Sequence, residues 1–403
     1  MPAGRRRIAG VTALGEGGTN LHLLVEQAAD PPATTPSRGH HMLVLSARTP
    51  TALETATSRL AAHLGGDNPA ALADVAYTLL EGRKPLPYRR VVVAGNAAEA
   101  VRALDRAEAS RVITDTFTGR QAPSVVWMFP GAEQYAGMGA GLYAGEPLYR
   151  QVLDEALSSL DPDLEPDVRR FVGPTDEPAA SLRMDGPSRT LPALVAVEYA
   201  VGRLLQAWGI TPAGTFGQGP GEYAAACLAG VFDIHQAMAL AAFEGRLLES
   251  LDACTRPGAH ASATAQTDAI EARTDEFERY CRRMSFKAPT VPLVSNVTWG
   301  WIAGAEATDP VYWGRRLQRT SRVGDGMQTL LDLPNGVFIE IGPGRTLTRL
   351  LGQQPKAPRV MTPTFRRPDE ADSDVALLLT AMGRLWAAGC GSESLQHCSR
   401  SNG

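Results

Sequence analysis

Lysine is nearly missing from this sequence: three residues stand against thirty-six arginines, and 39 basic side chains face 43 acidic ones for a net charge of −4. The arginine excess is a compositional bias, not a basic surface. No long basic block is present, which argues against a nucleic acid or an anionic membrane as the main partner. No apolar run approaches the ~20 residues of a membrane span. The arginines Arg5, Arg6 and Arg7 are not followed by an unbroken apolar stretch, so no signal peptide is visible. Cysteine is sparse. Its five residues (Cys227, Cys254, Cys281, Cys390, Cys398) form no C-x-x-C pair and have no histidine at metal-ligand spacing, so they read as reduced thiols, with no metal and no cofactor expected. These absences point to a soluble cytoplasmic protein. With 403 residues the chain has room for two or three domains.

Residues 7–26 combine a Gly-rich turn with a short apolar strand at 21–25, too little to bury a core alone. A Pro/Thr/Ser stretch at 31–38 reads as a linker. A strand is expected at 42–47, then a helix with Thr49 as N-cap and Pro50 at its first position, a helix at 71–80, a strand at 90–94 and a helix at 97–107. This α/β unit ends near residue 115.

A larger unit opens with the apolar strand 125–129. Helices are expected at 146–160 and at 192–208, the latter with Pro192 at its first position and Gly209 as its stop. Residues 291–297 and 336–341 read as further buried strands, 270–283 as a helix, and 374–388 as a closing helix before a Gly/Ser-rich tail that is expected to be disordered. Strands alternating with helices imply an α/β fold, a mostly parallel sheet covered on both faces.

The stretch Ala213-Gly-Thr-Phe-Gly-Gln-Gly-Pro-Gly-Glu-Tyr-Ala-Ala-Ala226 has the form of a nucleophile elbow. A buried strand ends, glycines flank a tight turn, and a helix starts at once. A working elbow carries Ser at its centre, near backbone N–H groups of the helix start. Here the centre is Gly219, which has no side chain to acylate.

With these residues in view, the sequence resembles the acyltransferase of modular type I polyketide synthases over nearly its whole length. Gly17-Gly-Thr-Asn-Leu-His-Leu23 resembles the last strand of the preceding ketosynthase, with His22 where that domain has a catalytic histidine. Residues 42–110 resemble the linker domain between ketosynthase and acyltransferase. Phe129-Pro-Gly-Ala-Glu-Gln-Tyr-Ala-Gly-Met-Gly139 resembles the opening loop of the transferase core. Val294-Ser-Asn-Val-Thr298, Asp309-Pro-Val-Tyr-Trp313 and Glu340-Ile-Gly-Pro-Gly-Arg-Thr-Leu347 match its later motifs, and Gly383-Arg-Leu-Trp-Ala-Ala-Gly389 the segment that wraps around it. The implied order is a ketosynthase-tail-like segment 1–30, an α/β linker domain 31–120, an α/β-hydrolase-like acyltransferase core 121–355, a wrap segment 356–388 and a tail 389–403.

The resemblance also implies a chemistry: acyl transfer from coenzyme A to a Ser, with a His as base, and onward to a carrier-protein thiol. Carried across residue by residue, that machinery is missing. The family elbow Gly-His-Ser-x-Gly aligns with Gly217-Gln-Gly-Pro-Gly221, so Gly219 replaces the nucleophile and Gln218 its neighbouring histidine. Counting back from Lys287-Ala-Pro289 places Gln266 at the position of the base, where an amide cannot serve. Ala132-Glu133 replaces a run that helps build the oxyanion hole. The Arg that pairs with a malonyl carboxylate aligns with Glu244, which turns attraction into repulsion, and Arg246 two residues on faces another way. Only about forty residues join Leu248 to Ala288, too few for the family's ferredoxin-like subdomain together with the expected helix, so that subdomain is expected to be largely deleted and the cleft open.

Several residues have plainer readings. His260, beside Ser262, becomes a base only if the alignment slips by six residues, and otherwise is a solvated loop histidine. Glu222 and Glu244 are a candidate carboxylate pair for a new acid–base reaction; the plainer reading has Glu222 satisfying N–H groups at the helix start and Glu244 facing solvent. Cys227 reads as a core thiol. The acidic residues of 161–167 lack the spacing of a calcium loop and read as a solvated connection.

The leading expectation is an acyltransferase-like protein of polyketide, hence antibiotic-type, biosynthesis that has lost its Ser/His machinery, a pseudoenzyme acting as scaffold or docking partner. Its expected partners are polyketide synthase proteins or an acyl carrier protein, with a carrier-bound polyketide as a further one. The alternative is a repurposed enzyme that cyclises or hydrolyses a carrier-bound polyketide through Glu222, Glu244, His260 or the amides Gln218 and Gln266. An active malonyl-type transferase ranks third, since it needs a nucleophile the sequence does not supply.

Overall fold

The first described segment is an antiparallel hairpin, β1 (Ile8–Leu14) with β2 (Asn20–Glu26), in the register Ile8↔Glu26 to Leu14↔Asn20. Its turn closes through Gly15 N–H donating to the Thr19 carbonyl at 2.9 Å, with Gly18 at φ +82°. Every residue of both strands is exposed, including Leu14 and Leu24 at 76% and 75%. Two strands alone bury nothing, as the length of the segment requires. The hairpin belongs to a unit of its own, Met1–Ser37, and the remainder, Arg38–Gly403, is the second unit. The computed structural model describes residues 6–28, 38–67, 69–106, 111–119, 122–131, 133–174, 184–255, 263–317 and 323–390. Residues 31–37 of the linker expected at 31–38 and all of the tail beyond Cys390 lie outside them.

The second unit begins with β3 (His41–Ala47), α1 (Pro50–Leu64), α2 (Leu72–Glu81), β4 (Tyr88–Ala94), α3 (Ala97–Arg106) and β5 (Val112–Thr116). Thr49 caps α1 by accepting from the Ala52 N–H at 3.2 Å, with Pro50 at the first helical position. The strands form an antiparallel sheet in the order β3-β4-β5. Alternate residues of β3 and β4 point to opposite faces. Leu43, Leu45 and Val92 pack under α1 and α3, while Met42, Val44 and Val91 join the large core on the other side.

That core is built from β6 (Ser124–Phe129), α4 (Ala140–Gly145), α5 (Pro147–Leu157), α6 (Glu165–Val172), α7 (Pro187–Ala207), β7 (Gly214–Gly217), α8 (Gly221–Leu228) and α9 (Ile234–Thr255). It continues through α10 (Ala263–Cys281), α11 (Gly304–Ala307), α12 (Pro310–Arg316), α13 (Val323–Leu331), β8 (Gly336–Glu340), α14 (Thr346–Gly352), β9 (Val360–Pro363) and α15 (Asp374–Ala388). The sheet is parallel throughout, in the order β7-β6-β8-β9. Trp127 and Phe129 of β6 face the core containing α7, and Val126 and Met128 face the cluster containing α13 and α14 residues, so both faces are covered as expected. The helix α15 returns to the antiparallel sheet β3-β4-β5. A Cβ on Gly383 would sit 2.6 Å from Cγ1 of Val91, and the Arg89 guanidinium lies 4.9 Å from the Trp386 ring centroid and 5.2 Å from that of Phe117.

Some expectations needed correction. Residues 291–297 form no strand, only a bridge from Leu293 to Thr215 and another from Val294 to Trp301. Pro292 lacks an N–H, and the chain turns back at once, with Ser295 N–H donating to Gly300 and Trp299 at φ +64°. Pro192 lies inside α7, not at its start; Pro187 holds the first position, and the Glu249 carboxylate accepts the Ser188 N–H at 2.9 Å. The short strands β5 and β9 carried too few apolar residues to announce themselves. The acidic run at 161–167 is half connection and half α6, with Glu165 paired to Arg169 and Asp167 to Arg189. Among the described residues no helix is long and apolar enough to cross a membrane.

Candidate active site

The strand β7 ends at Gly217, and the turn 218–220 delivers the chain into α8. Gln218 N–H donates to the Phe129 carbonyl at 2.9 Å and Asn296 Nδ2 to the Gly217 carbonyl at 2.7 Å, so the turn is held against the end of β6. Gly219 takes φ +54°, in the left-handed region that favours glycine. It is exposed, and a Cβ placed there would meet nothing within 4 Å. The geometry is that of an elbow with an empty tip.

The helix start below it has no spare donors in the turn. Pro220, the residue after the elbow centre, has no N–H, and that position supplies an oxyanion-hole donor in such elbows. The next three N–H groups are spent inside the turn: Gly221 to the Gln218 carbonyl at 3.0 Å, Glu222 to Gly219 at 3.1 Å and Tyr223 to Pro220 at 3.0 Å. This proline is a functional signal that sequence reading passed over, although it was legible.

Beneath the elbow lies a buried ionic cluster centred on Arg316, from the end of α12. Its Nη1 donates to the Gly219 carbonyl at 2.9 Å, and Nη2 donates to both Glu244 Oε2 and the Tyr223 hydroxyl. Glu222 Oε2 stands 3.7 Å from Arg316 Nε, and Tyr312 donates to Glu222 Oε1 at 2.6 Å. Tyr223 donates to Glu244 Oε2 at 2.6 Å, and the guanidinium lies 4.3 Å from the Tyr223 ring centroid. Side-chain exposure of Arg316, Glu222 and Glu244 is 4%, 0% and 10%. Burial works against the charge on Arg316, but Glu244, Tyr223 and Glu222 outweigh it and hold the group firmly protonated. Burial pushes the Glu222 carboxyl above its ordinary range, and Arg316 and Tyr312 pull it back.

The plainer readings of both glutamates are therefore overturned. Glu244 does not face solvent, because Arg316 draws it inward. Glu222 caps nothing at the start of α8; its carboxylate is taken up by Tyr312 and Arg316. The two carboxylates share one cation and are not a free acid–base pair. Arg246 turns away, as its position implies, and pairs with Asp161 at the surface. Gln218 contributes an Oε1 that is buried without a hydrogen-bond partner. Gln266 falls on α10, with its side chain outside the described residues, as are His260, Ser262 and Ala132. Glu133 accepts from the Thr346 hydroxyl at 2.7 Å. Cys227 is buried among core alanines, and burial pushes its thiol well up, as a core thiol requires. His22 is exposed on β2 with Nδ1 2.7 Å from the Thr12 hydroxyl. Sequence reading stopped at Trp313 and missed Arg316, three residues on; a buried charge reversal at position 244 was the signal that a cation had to be near.

At the strand ends behind the elbow, Glu198 of α7 is fully buried with both oxygens unpartnered, and burial with the nearby Glu340 raises it far above the carboxylate range. Glu340 accepts the Leu347 and Thr348 N–H groups at 2.9 and 2.7 Å, and burial brings it to about 7.

A parallel sheet, its strand–turn–helix elbow and the helices that cover it define an acyltransferase-type α/β protein. Residues 126–281 match the acyl transferase domain family and residues 41–104 the family described as CurL-like, PKS C-terminal. The chain is 29% identical over 457 positions to a phenolphthiocerol/phthiocerol polyketide synthase protein of Mycobacterium tuberculosis, covering 95% of this chain and 30% of that protein. It is 30% identical to the spectinabilin polyketide synthase system protein NorB of Streptomyces orinoci, over 96% of this chain and 21% of that protein. Among solved structures, the acyl transferase domain of ZmaA superposes with a TM-score of 0.77 at 28% identity, covering 88% of this chain and 95% of that one. The acyl transferase domain of SpnD, in complex with 2-(pent-4-yn-1-yl)malonyl, superposes with a TM-score of 0.73 at 28% identity, covering 90% and 98%. The chain thus carries an acyl transferase domain at 126–281 and a CurL-like PKS C-terminal region at 41–104, and over nearly its whole length it is similar to the acyltransferase regions of type I polyketide synthases. The chain spans less than a third of the length of these two curated relatives. The 457 aligned positions exceed the 403 residues of this chain, so the mycobacterial relative carries residues that have no counterpart here.

Proposed function

We propose that this chain serves polyketide biosynthesis without forming an acyl-enzyme, as a docking or scaffolding partner of polyketide synthase proteins or of an acyl carrier protein. The observation that carries this reading is the elbow itself. Gly219 offers no hydroxyl, Pro220 no N–H, and the following N–H groups are bonded within the turn. The binding of an extender carboxylate is opposed as well. Among the described residues Arg316 is the cation that reaches the elbow, and Glu244 and the Gly219 carbonyl already hold it. A malonyl carboxylate would have to displace a buried ion pair.

Two measurements test this. Intact-mass spectrometry after incubation with malonyl or methylmalonyl coenzyme A is expected to show unmodified protein; a covalent acyl adduct overturns the reading. Pull-down with purified synthase and carrier proteins of the same pathway is expected to recover at least one of them.

A further inference from the structure

A large charged concavity in the second unit has a lining that includes no residue of the elbow. It has a volume of about 970 Å³ and is bounded by β9, the start of α14 and one face of α15. Arg345 and Arg384 both line it. Arg345 pairs through Nη2 with Glu370 at 3.0 Å, which leaves its Nε buried with no hydrogen-bond partner. Thr348, one turn along, also lines the cavity, and its hydroxyl oxygen is buried beside the Glu340 carboxylate without a hydrogen bond of good geometry. Among the described residues none forms an ion pair with Arg384, an exposed side chain whose charge is disfavoured by its partial desolvation and by the nearness of Arg345. Of the other charges at the wall, Arg111 and Glu99 pair at 3.7 Å, and Asp372 is exposed. Arg345 Nε and the Thr348 hydroxyl thus stand at the cavity buried and with donors unspent, which is costly to leave unmet, and the exposed Arg384 adds a second guanidinium to the same lining.

We propose that this cavity binds an organic phosphate monoester, its phosphoryl oxygens accepting from Arg345, Thr348 and Arg384 and its organic chain lying along Met361, Ala376 and Leu377. Three donor groups suit a tetrahedral oxyanion with three free oxygens, and guanidinium forks favour phosphate over a point contact. The volume is many times that of a phosphate ion, and the apolar part of the lining leaves room for the ester chain. The site shares no residue with the elbow or the Arg316 cluster, and it stands whether or not the elbow is catalytic.

The test is calorimetric titration of the full chain with hexyl phosphate, inorganic phosphate, hexanoate and hexanol. Hexyl phosphate is expected to bind saturably in the millimolar range or tighter, inorganic phosphate and hexanoate about tenfold more weakly, and hexanol without measurable heat. Arg384→Gln is expected to weaken hexyl phosphate about tenfold, Arg384→Lys to recover part of that loss, and Arg349→Gln, on the exposed side of α14, to leave it unchanged. No saturable binding up to about 5 mM overturns the proposal. So does equal binding by Arg384→Gln, or an equal loss in Arg349→Gln. Hexanoate binding as tightly as hexyl phosphate overturns the choice of phosphate. Near-ultraviolet circular dichroism of each variant shows that it is folded.

Discussion

Arg316 is hydrogen-bonded to Gly219, guanidinium Nη1 to main-chain carbonyl, at 2.9 Å. A side chain from α12 thus supports the tip of the elbow from below, and the same side chain neutralises Glu244. The place where an elbow would hold a reacting group is joined here to a buried structural ion cluster.

Removing that cation is expected to be expensive. Arg316→Met leaves Glu222 and Glu244 buried without a counter-charge, and stability should fall by about 3–5 kcal/mol in urea unfolding. Adding Glu244→Leu to the same background should restore a large part of the loss, because one stranded carboxylate is removed. If the double variant is as unstable as the single one, Glu244 is not the partner that matters.

Reinstalling the hydroxyl alone is not expected to restore chemistry. Gly219→Ser has open space around its Cβ, but φ +54° strains a side chain by about 1–3 kcal/mol. Pro220 still denies the oxyanion a donor. Intact-mass spectrometry of Gly219→Ser with malonyl coenzyme A should show no adduct above the unsubstituted protein. Acylation of the Gly219→Ser variant would mean that the remaining donors suffice.

Stability should depend on pH through Glu340. Its unfolded carboxyl titrates near 4.3, whereas the folded one titrates at about 7. Between those values the folded state keeps a proton that the unfolded state has released. The contribution is therefore fully present below the unfolded value and is lost as pH rises through about 7, a change on the order of 3 kcal/mol. Urea midpoints measured from pH 5 to 8 should fall with rising pH, and Glu340→Gln should reduce that slope without abolishing it, because the buried Glu198, also raised, contributes in the same direction.

The contact of α15 with the antiparallel sheet leaves no room at Gly383. Gly383→Ala places a methyl 2.6 Å from Cγ1 of Val91 and should destabilise by about 1–3 kcal/mol. Val91→Ala in the same background should relieve part of that clash, which thermal unfolding of the four proteins of the cycle would show.

Local chemistry carries far along this chain. Thr49-Pro50 marks the start of α1 because a hydroxyl cap and a fixed φ act within a few residues. The run 374–388 is helical over the length its apolar period marks. The elbow at 217–221 is equally local: Gly219 takes a left-handed φ that favours glycine, and a Cβ on Gly217 would lie 2.3 Å from the Glu222 nitrogen. Pro192 misled for a related reason: its fixed φ suits a first turn, but Pro187 and the Glu249 carboxylate had already begun the helix. The strand expected at 291–297 failed because apolar content alone does not say whether a chain continues or turns.

The sequence by itself determined the fold class, the family likeness and the empty centre of the elbow, all of which depend on residue type and on neighbours a few positions away. Only the tertiary structure decided what became of Glu222 and Glu244. Their cation stands 94 and 72 residues on, and burial makes a charge seek whatever partner folding brings close. The convergence of Arg345 with Arg384 has the same origin: nothing in either segment alone encodes that two cations separated by 39 positions will share one cavity.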